Sequence, residues 1–242
     1  MASNKVVLIP TYNEKENIEN IIKAVFDLEE PFDILVIDDG SPDGTSTIVK
    51  GLQKVYENRL FLKERQGKQG LGTAYMAGFE WAIEHNYEYI VEMDADFSHN
   101  PQDLPKLYNA CVNGADLAIG SRYSNGISVI NWPIGRVIMS YYASAYVRTI
   151  LGLHVFDTTA GFKCYKKRVL EKIDFSRIKM KGYGFQIEMK YNTFKLGFNI
   201  VEVPIIFVDR KEGNSKMSSS IFGEAFWGVI KLKFRRIKAR KV

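Results

Sequence analysis

The chain has 242 residues, 46% of them hydrophobic, enough to bury a full core in one large α/β domain or two small ones. Its net charge of +5 is concentrated toward the C-terminal end, which suits an anionic partner such as a membrane surface, a phosphate or a nucleic acid. Cys111 and Cys164 lie far apart without CxxC spacing, which argues against a zinc site or a disulfide framework and favours a reducing compartment.

From Met1 through Lys5 the chain runs into the strand-like Val6-Val7-Leu8-Ile9, too short a run and without a cleavage region, so a signal peptide is not expected. The uncharged stretch between Arg136 and Arg148 holds several polar residues and falls short of the roughly 20 apolar residues that cross a bilayer. Any membrane contact is therefore expected to be peripheral.

In chain order the pattern predicts a strand over 6–9 and a helix through Ile18, Ile21, Ile22 and Val25. A strand over 34–37, a helix over 45–56, a strand near Phe61, a helix over 72–85 and a strand over 89–93 follow. This alternation argues for a mostly parallel sheet covered by helices on both faces. A helix over 105–113 and a strand over 117–119 come next, then a helical pattern over 133–151 and a helix near 185–195. The last elements are a strand over 200–208 and a basic amphipathic helix over 222–240. In such sheets ligands gather at the carboxyl ends of the strands. Three acidic loops sit there: Pro10-Thr11-Tyr12-Asn13-Glu14, Asp38-Asp39-Gly40-Ser41 and Asp94-Ala95-Asp96.

Asp94 and Asp96 follow an apolar strand, and strand alternation aims both carboxylates to one side, where they repel unless a cation lies between them. A hard ion, Mg²⁺ or Mn²⁺, with phosphate oxygens completing its shell is the economical reading; a solvated acidic turn capping a helix is the bland one. Asp39 reads as a ribose or base partner, with Thr45 or Asp43 as a helix cap and nothing more as the alternative. Tyr12 offers a face for stacking a base and Glu14 a carboxylate for ribose hydroxyls, although Thr11 or Asn13 could simply cap the next helix. The basic, glycine-rich run from Arg65 through Lys68 to Gly72 can neutralise a diphosphate through amides and the helix dipole, and is neither a P-loop nor a GxGxxG turn. Arg122, Arg136, Arg210 and Lys216 are candidate phosphate cations, against the ordinary fate of arginines as solvated surface residues. His85 and His99 lack an evident partner, and no GxSxG elbow supports an acyl-transfer hydrolase.

Six ordered segments, PTYNEKEN, DDGSPDGT, GLGTAY, MDADFSHNP, GSRY and VDRKEGNSK, span residues 10–216. With them the chain resembles the dolichyl-phosphate (polyprenyl-phosphate) mannose synthases, inverting glycosyltransferases of the GT-A fold. The resemblance implies that Pro10, Tyr12, Glu14, Ile37 and Asp39 hold the guanosine of GDP-mannose. It implies that Asp94 and Asp96 hold Mg²⁺ or Mn²⁺ and the diphosphate, with Ala95 and Phe97 lining the site. Arg122, Arg210 and Lys216 are implied to contact the diphosphate or the acceptor phosphate, and Arg136 with Ser140 to form the acceptor-phosphate pocket; Asp96 and Arg122 are the expected catalytic residues. Ser98 stands where the archaeal pattern has a glutamine as third metal ligand, while the eukaryotic pattern also has Ser-His there.

The resemblance implies a GT-A catalytic domain over 1–220 acting at the cytoplasmic face of a membrane; where some relatives carry C-terminal transmembrane helices, this chain has a basic amphipathic pattern over 221–242 that is expected to lie on the membrane surface. A polyprenyl (dolichyl) phosphate would be the acceptor, and the basic end could also meet a membrane-embedded subunit. A transferase using UDP-glucose or another donor is the nearest alternative; a non-catalytic module docking on membranes or nucleic acid is a second. Nucleic acid is not the expected partner, because the basic residues gather at one terminal helix rather than along a groove with stacking aromatics. A glycosidase with paired carboxylates leaves the cations, the nucleotide-type loops and the basic tail without a role.

Overall fold

The computed structural model describes residues 3–209 and 219–240. Its first half alternates β1 (Lys5–Thr11), α1 (Ile18–Phe26), β2 (Asp33–Asp38), α2 (Thr45–Gln53), β3 (Leu60–Glu64), α3 (Leu71–Glu84) and β4 (Tyr89–Glu92). Then come α4 (Leu104–Val112), β5 (Leu117–Ser121), β6 (Val129–Ile130), α5 (Ile134–Leu151), β7 (Lys163–Lys166), α6 (Lys167–Lys172) and α7 (Tyr183–Lys195). β8 (Ile200–Pro204), β9 (Phe207–Val208) and α8 (Ser219–Phe234) complete the order.

Seven strands form one sheet in the order β3-β2-β1-β4-β7-β5-β8, parallel except for β7, which runs against both its neighbours. Period-two alternation explains why both faces are covered. On β1, Val7 and Ile9 join a core with Ile18, Ile22, Leu104 and Leu107, while Val6 and Leu8 join another with Ala74, Phe79, Leu170 and Phe185. A strand buried on both faces needs an unbroken apolar run, and β2 is buried along its whole length.

Two terminal elements differ from the pattern-based expectation. The strand expected over 200–208 divides at Pro204: β8 follows β5 up to that residue, and β9 then leaves the sheet to pair with β6. The helix expected over 222–240 stops at Phe234. Beyond it the chain turns back, the Arg240 amide donates to the Lys172 carbonyl at 2.8 Å, and Ala239 bridges to Ile173. Arg235, Arg236, Lys238 and Arg240 therefore lie outside α8, whose Val229 and Leu232 pack against Val147, Leu151, Ile187 and Tyr191 of α5 and α7. Among the described residues, no helix is long and apolar enough to cross a membrane.

Candidate active site

Parallel pairing sets the carboxyl ends of β2, β1 and β4 side by side, with Thr11 opposite Asp38. The first two loops are stitched together by side chains. Asp38 accepts from the Thr11 hydroxyl at 2.8 Å and from the amide and hydroxyl of Ser41 at 2.9 and 2.6 Å. The amides of Asn13, Glu14 and Lys15 donate in turn to Ser41, Thr45 and Asp43. Asp38 and Asp43 thus build the frame, and the Asp39 side chain takes no part in it. Its Oδ2 accepts the Gln69 amide at 3.0 Å, and Arg65 Nη1 lies 3.2 Å from Oδ1. That contact is too bent for a hydrogen bond, so a buried oxygen and a buried nitrogen both remain without one, an arrangement that suits an added polar partner.

Tyr12 is half-buried beside this pair with Lys68 Nζ 4.7 Å from its ring centre, so the glycine-rich run lies over Tyr12. Glu14 and Pro10 are partly exposed at the same edge. The side chain of Ile37 has no exposed surface and packs in the core beside Gly78, which leaves only its backbone to face a nucleoside. Ala95 is likewise turned into the core.

β4 ends at Glu92, so Asp94 and Asp96 stand on a loop rather than on the extended strand from which their common direction was inferred. Both still act on one neighbour, since the charges of Asp94 and Asp96 are both felt at the Tyr75 hydroxyl. Phe97 takes a left-handed backbone (φ 58°), uncommon for a bulky residue and a local strain that the fold must hold; Asp96 Oδ1 accepts the Ser98 amide at 3.1 Å. The Tyr75 hydroxyl donates to Asp94 Oδ1 at 3.2 Å, and burial together with the charges of Asp94, Glu92 and Asp96 pushes its pKa well up. Both carboxylates remain partly exposed, and Phe97 lies open beside them, whereas Ser98 is buried. Among the described residues no group of three His, Cys, Asp or Glu side chains gathers as a closed metal cage. Two hard, partly exposed carboxylates suit Mg²⁺ or Mn²⁺, which take one or two carboxylates and complete their shell with substrate phosphate oxygens.

Asp94 opens into a cleft of about 780 Å³ also lined by His99, Arg122, Arg136 and Ser140, with apolar walls from α5, α7 and α8 that include Met139, Val147, Ile187 and Val229. Arg122 lies between the rings of Tyr123, Trp132 and Phe207, and its Nε and Nη2 form a fork on Asp157 at 2.7 and 2.6 Å. Burial alone would lower the pKa of this guanidinium; Asp157 reverses that and raises it. Arg136 stacks on Trp132 at 4.1 Å and pairs with Asp209 at 2.9 Å. Ser140 accepts the Tyr123 hydroxyl at 2.7 Å, which leaves its own proton to donate. Arg210 and Lys216 lie outside the described residues.

Beneath the cleft, Glu92 and Lys163 form a fully buried ion pair at 3.0 Å, joined by Gln186, whose amide donates to Glu92 at 2.9 Å. Burial, opposed by Glu92, holds the Lys163 pKa below its usual value. His99 gains the partner that its sequence context did not reveal. Its Nδ1 accepts the Asp94 amide at 3.1 Å, which assigns the proton of the neutral ring to Nε2, and the ring stacks on Phe162. Asp157 carries no local motif: it lies 35 residues beyond Arg122, and only folding joins the two. Cys111 and Cys164 are buried free thiols, the first donating to the carbonyl of the second at 3.3 Å.

Comparison with known proteins identifies the family and the fold. The chain is 47% identical over 229 residues to the polyprenol monophosphomannose synthase of Mycolicibacterium smegmatis, covering 93% of this chain and 86% of that protein. It is 45% identical to the undecaprenyl-phosphate mannosyltransferase of Micrococcus luteus, covering 93% of each. Among solved structures, glucosyl-3-phosphoglycerate synthase from Mycobacterium tuberculosis, in complex with Mn²⁺, UDP and glucosyl-3-phosphoglycerate, shares the fold. The TM-score is 0.65 at 20% identity, over 94% of this chain and 77% of the other. The profile of the family described as Glycosyl transferase family 2 matches residues 6–174, the segment holding both carboxylate loops, Arg122 and Asp157; with that match and these relatives, the chain belongs to glycosyl transferase family 2.

Proposed function

We propose that the chain transfers mannose from GDP-mannose to a polyprenyl phosphate at a membrane surface, giving polyprenyl-phosphate mannose with inversion, and GDP. The observation that carries this reading is the single cleft in which Asp94, two arginines and Ser140 meet apolar helix walls. A phosphate and a hydrocarbon chain entering together need both kinds of surface. Relatives named for mannose transfer to polyprenyl phosphates support it.

The nucleoside would lie along Pro10, Tyr12, Glu14 and Asp39, and the diphosphate beside Asp94 and Asp96. Mg²⁺ or Mn²⁺, bound by these two carboxylates, would supply neutralising charge to the diphosphate. Ser98, buried and engaged through its backbone, would contribute through position more than through its hydroxyl. Arg122, Arg136 and Ser140 orient the acceptor phosphate by donating to its oxygens. A phosphate monoester loses its second proton near pH about 6, so at neutral pH it attacks as a formed anion and no strong base is required. One of its oxygens bonds to the anomeric carbon from the face opposite the GDP oxygen, whose bond to that carbon breaks. The electron pair leaves with GDP.

In this reading residues 1–220 carry the chemistry and the segment from 221 onward meets the cytoplasmic face of the membrane. Supporting it, Ile134, Ile138 and Tyr142 of α5 and Phe226 and Trp227 of α8 are exposed apolar side chains on two of the three helices that wall the cleft, and the basic residues after Phe234 suit anionic headgroups. The deciding experiment follows radiolabel from GDP-mannose into organic-soluble lipid, with polyprenyl phosphate in detergent and Mg²⁺ or Mn²⁺, for wild type and Asp96→Ala. Transfer that needs the metal and is lost in the variant is expected. Transfer from UDP-glucose instead, or to a lipid without phosphate, would overturn the assignment of donor or acceptor.

A further inference from the structure

The two arginines of the cleft are held in opposite ways. Arg136 touches Asp209 through one nitrogen, and both side chains are about a quarter exposed, at 23% and 25%. A phosphate can therefore exchange for Asp209. Arg122 and Asp157 are 8% and 0% exposed, and Asp157 takes the Arg122 backbone amide at 3.0 Å as well as its Nε and Nη2. The second Nη2 hydrogen goes to the Thr159 hydroxyl at 2.8 Å.

Asp157 is itself clamped. Glu202 accepts the amides of Phe156 and Asp157 at 2.7 and 2.9 Å. From below, the fully buried Lys190 donates to the carbonyls of Thr158 and Ala160 at 3.1 and 2.6 Å. Loop 157–161 is thus fixed at its start and along its length. A guanidinium has five N–H bonds in one plane; the Nε–H and both Nη2 hydrogens are committed to this loop, so the Nη1 pair is what Arg122 presents to the cleft it lines. Because Asp157 also cancels its charge, Arg122 acts there as an aimed donor, and net positive charge for an incoming phosphate comes from Arg136.

We propose that Asp157 is a positioning residue of the transfer reaction. It turns the Nη1 edge of Arg122 toward a phosphate oxygen in the cleft, with Thr159 completing the grip and Glu202 and Lys190 holding the mount. This rests on the reading of Arg122 as an acceptor-phosphate contact. A residue that only neutralised a buried arginine would affect stability equally whether or not Arg122 took part in transfer.

The test is a double-mutant cycle in the radiolabel assay with Asp157→Asn, Arg122→Ala and the pair. Asp157→Asn keeps the shape and spoils the fork, since its amide meets the guanidinium donor to donor. Misplacing the arginine by about an ångström is expected to lower kcat/KM for polyprenyl phosphate on the order of 100-fold. KM for GDP-mannose should stay within about twofold, and adding Asp157→Asn to Arg122→Ala should cost nothing further. Full activity in Asp157→Asn, or a loss that multiplies with Arg122→Ala, overturns the proposal. If Asp157→Asn does not fold, Thr159→Val, which leaves the ion pair intact, decides it: a loss of about tenfold in the same parameter, absent in the Arg122→Ala background, is expected, and unchanged activity overturns it. Wild-type activity in Arg122→Ala instead removes Arg122 from the site and so refutes the underlying reading.

Discussion

In the proposed function Asp209 competes with the acceptor phosphate for Arg136, so Asp209→Asn should tighten acceptor binding. The pair is about a quarter exposed and made through one guanidinium nitrogen. It therefore falls near the upper end of the range for solvent-screened ion pairs, about 1 kcal/mol. The stacking of Arg136 on Trp132 at 4.1 Å survives the substitution, so the arginine stays in place while its competitor loses charge. A gain of about 1 kcal/mol corresponds to a KM for the acceptor lowered about fivefold. Initial rates over a range of a short-chain prenyl phosphate, at saturating GDP-mannose, measure it directly, and KM for the donor should not move. Added salt weakens the competing pair, so the difference between wild type and variant should shrink as ionic strength rises. A KM for the acceptor that rises in Asp209→Asn would refute the reasoning, because Asp209 would then assist binding.

Three further outcomes follow from particular contacts. A Cβ added at Gly72 would lie 2.8 Å from Cδ2 and 3.2 Å from Cβ of the fully buried Phe185. Gly72→Ala is therefore expected to cost about 1–3 kcal/mol and lower the melting temperature by about 3–10 °C in scanning calorimetry; an unchanged midpoint would show that the ring can yield. Burial works to raise the pKa of Asp157, and the charge and hydrogen bonds of Arg122 overcome it, holding the carboxyl below the usual carboxylate range. A depressed folded-state pKa contributes stability that is complete above the unfolded value of about 3.9 and is lost as pH falls through the folded value. The melting temperature of the wild type should thus drop below pH about 4 more steeply than that of Asp157→Asn, and parallel curves would refute the linkage. Trp227, 62% exposed on α8, should insert partly into a bilayer; removing about 60 Å² of indole from contact with lipid costs about 1.5 kcal/mol, so Trp227→Ala should partition about tenfold less onto anionic vesicles in a sedimentation assay. Equal partition would place the membrane contact elsewhere.

The amino-acid sequence by itself determined the layered α/β class and the placing of both carboxylate loops at strand ends, because these depend on local periodicity. Residues 6–9 and 34–37 are apolar without a break, as a strand covered on both faces must be, and a strand end followed by Asp-Asp-Gly or Asp-Ala-Asp announces a polar site. Local signals failed where the chain makes long-range pairings. Pro204 ends β8 and sends β9 to β6, and the turn after Phe234 is set by pairing with Ile173, so neither break shows in hydrophobic period alone. Ile37 looks like a neighbour of the ligand in sequence, yet strand alternation turns its side chain into the core.

Partnership among buried polar groups was decided only by tertiary structure. Thr11 with Asp38, Arg122 with Asp157, Lys190 with the carbonyls of loop 157–161, and His99 with the Asp94 amide join residues whose separation in sequence, from 5 to 35 positions, says nothing about which will meet. A buried charge must find a specific partner or lose its ionisation, and which partner lies within reach depends on how strands and helices pack. Composition and motif can therefore mark the arginines, but whether each is a locked donor or an exchangeable cation belongs to the fold.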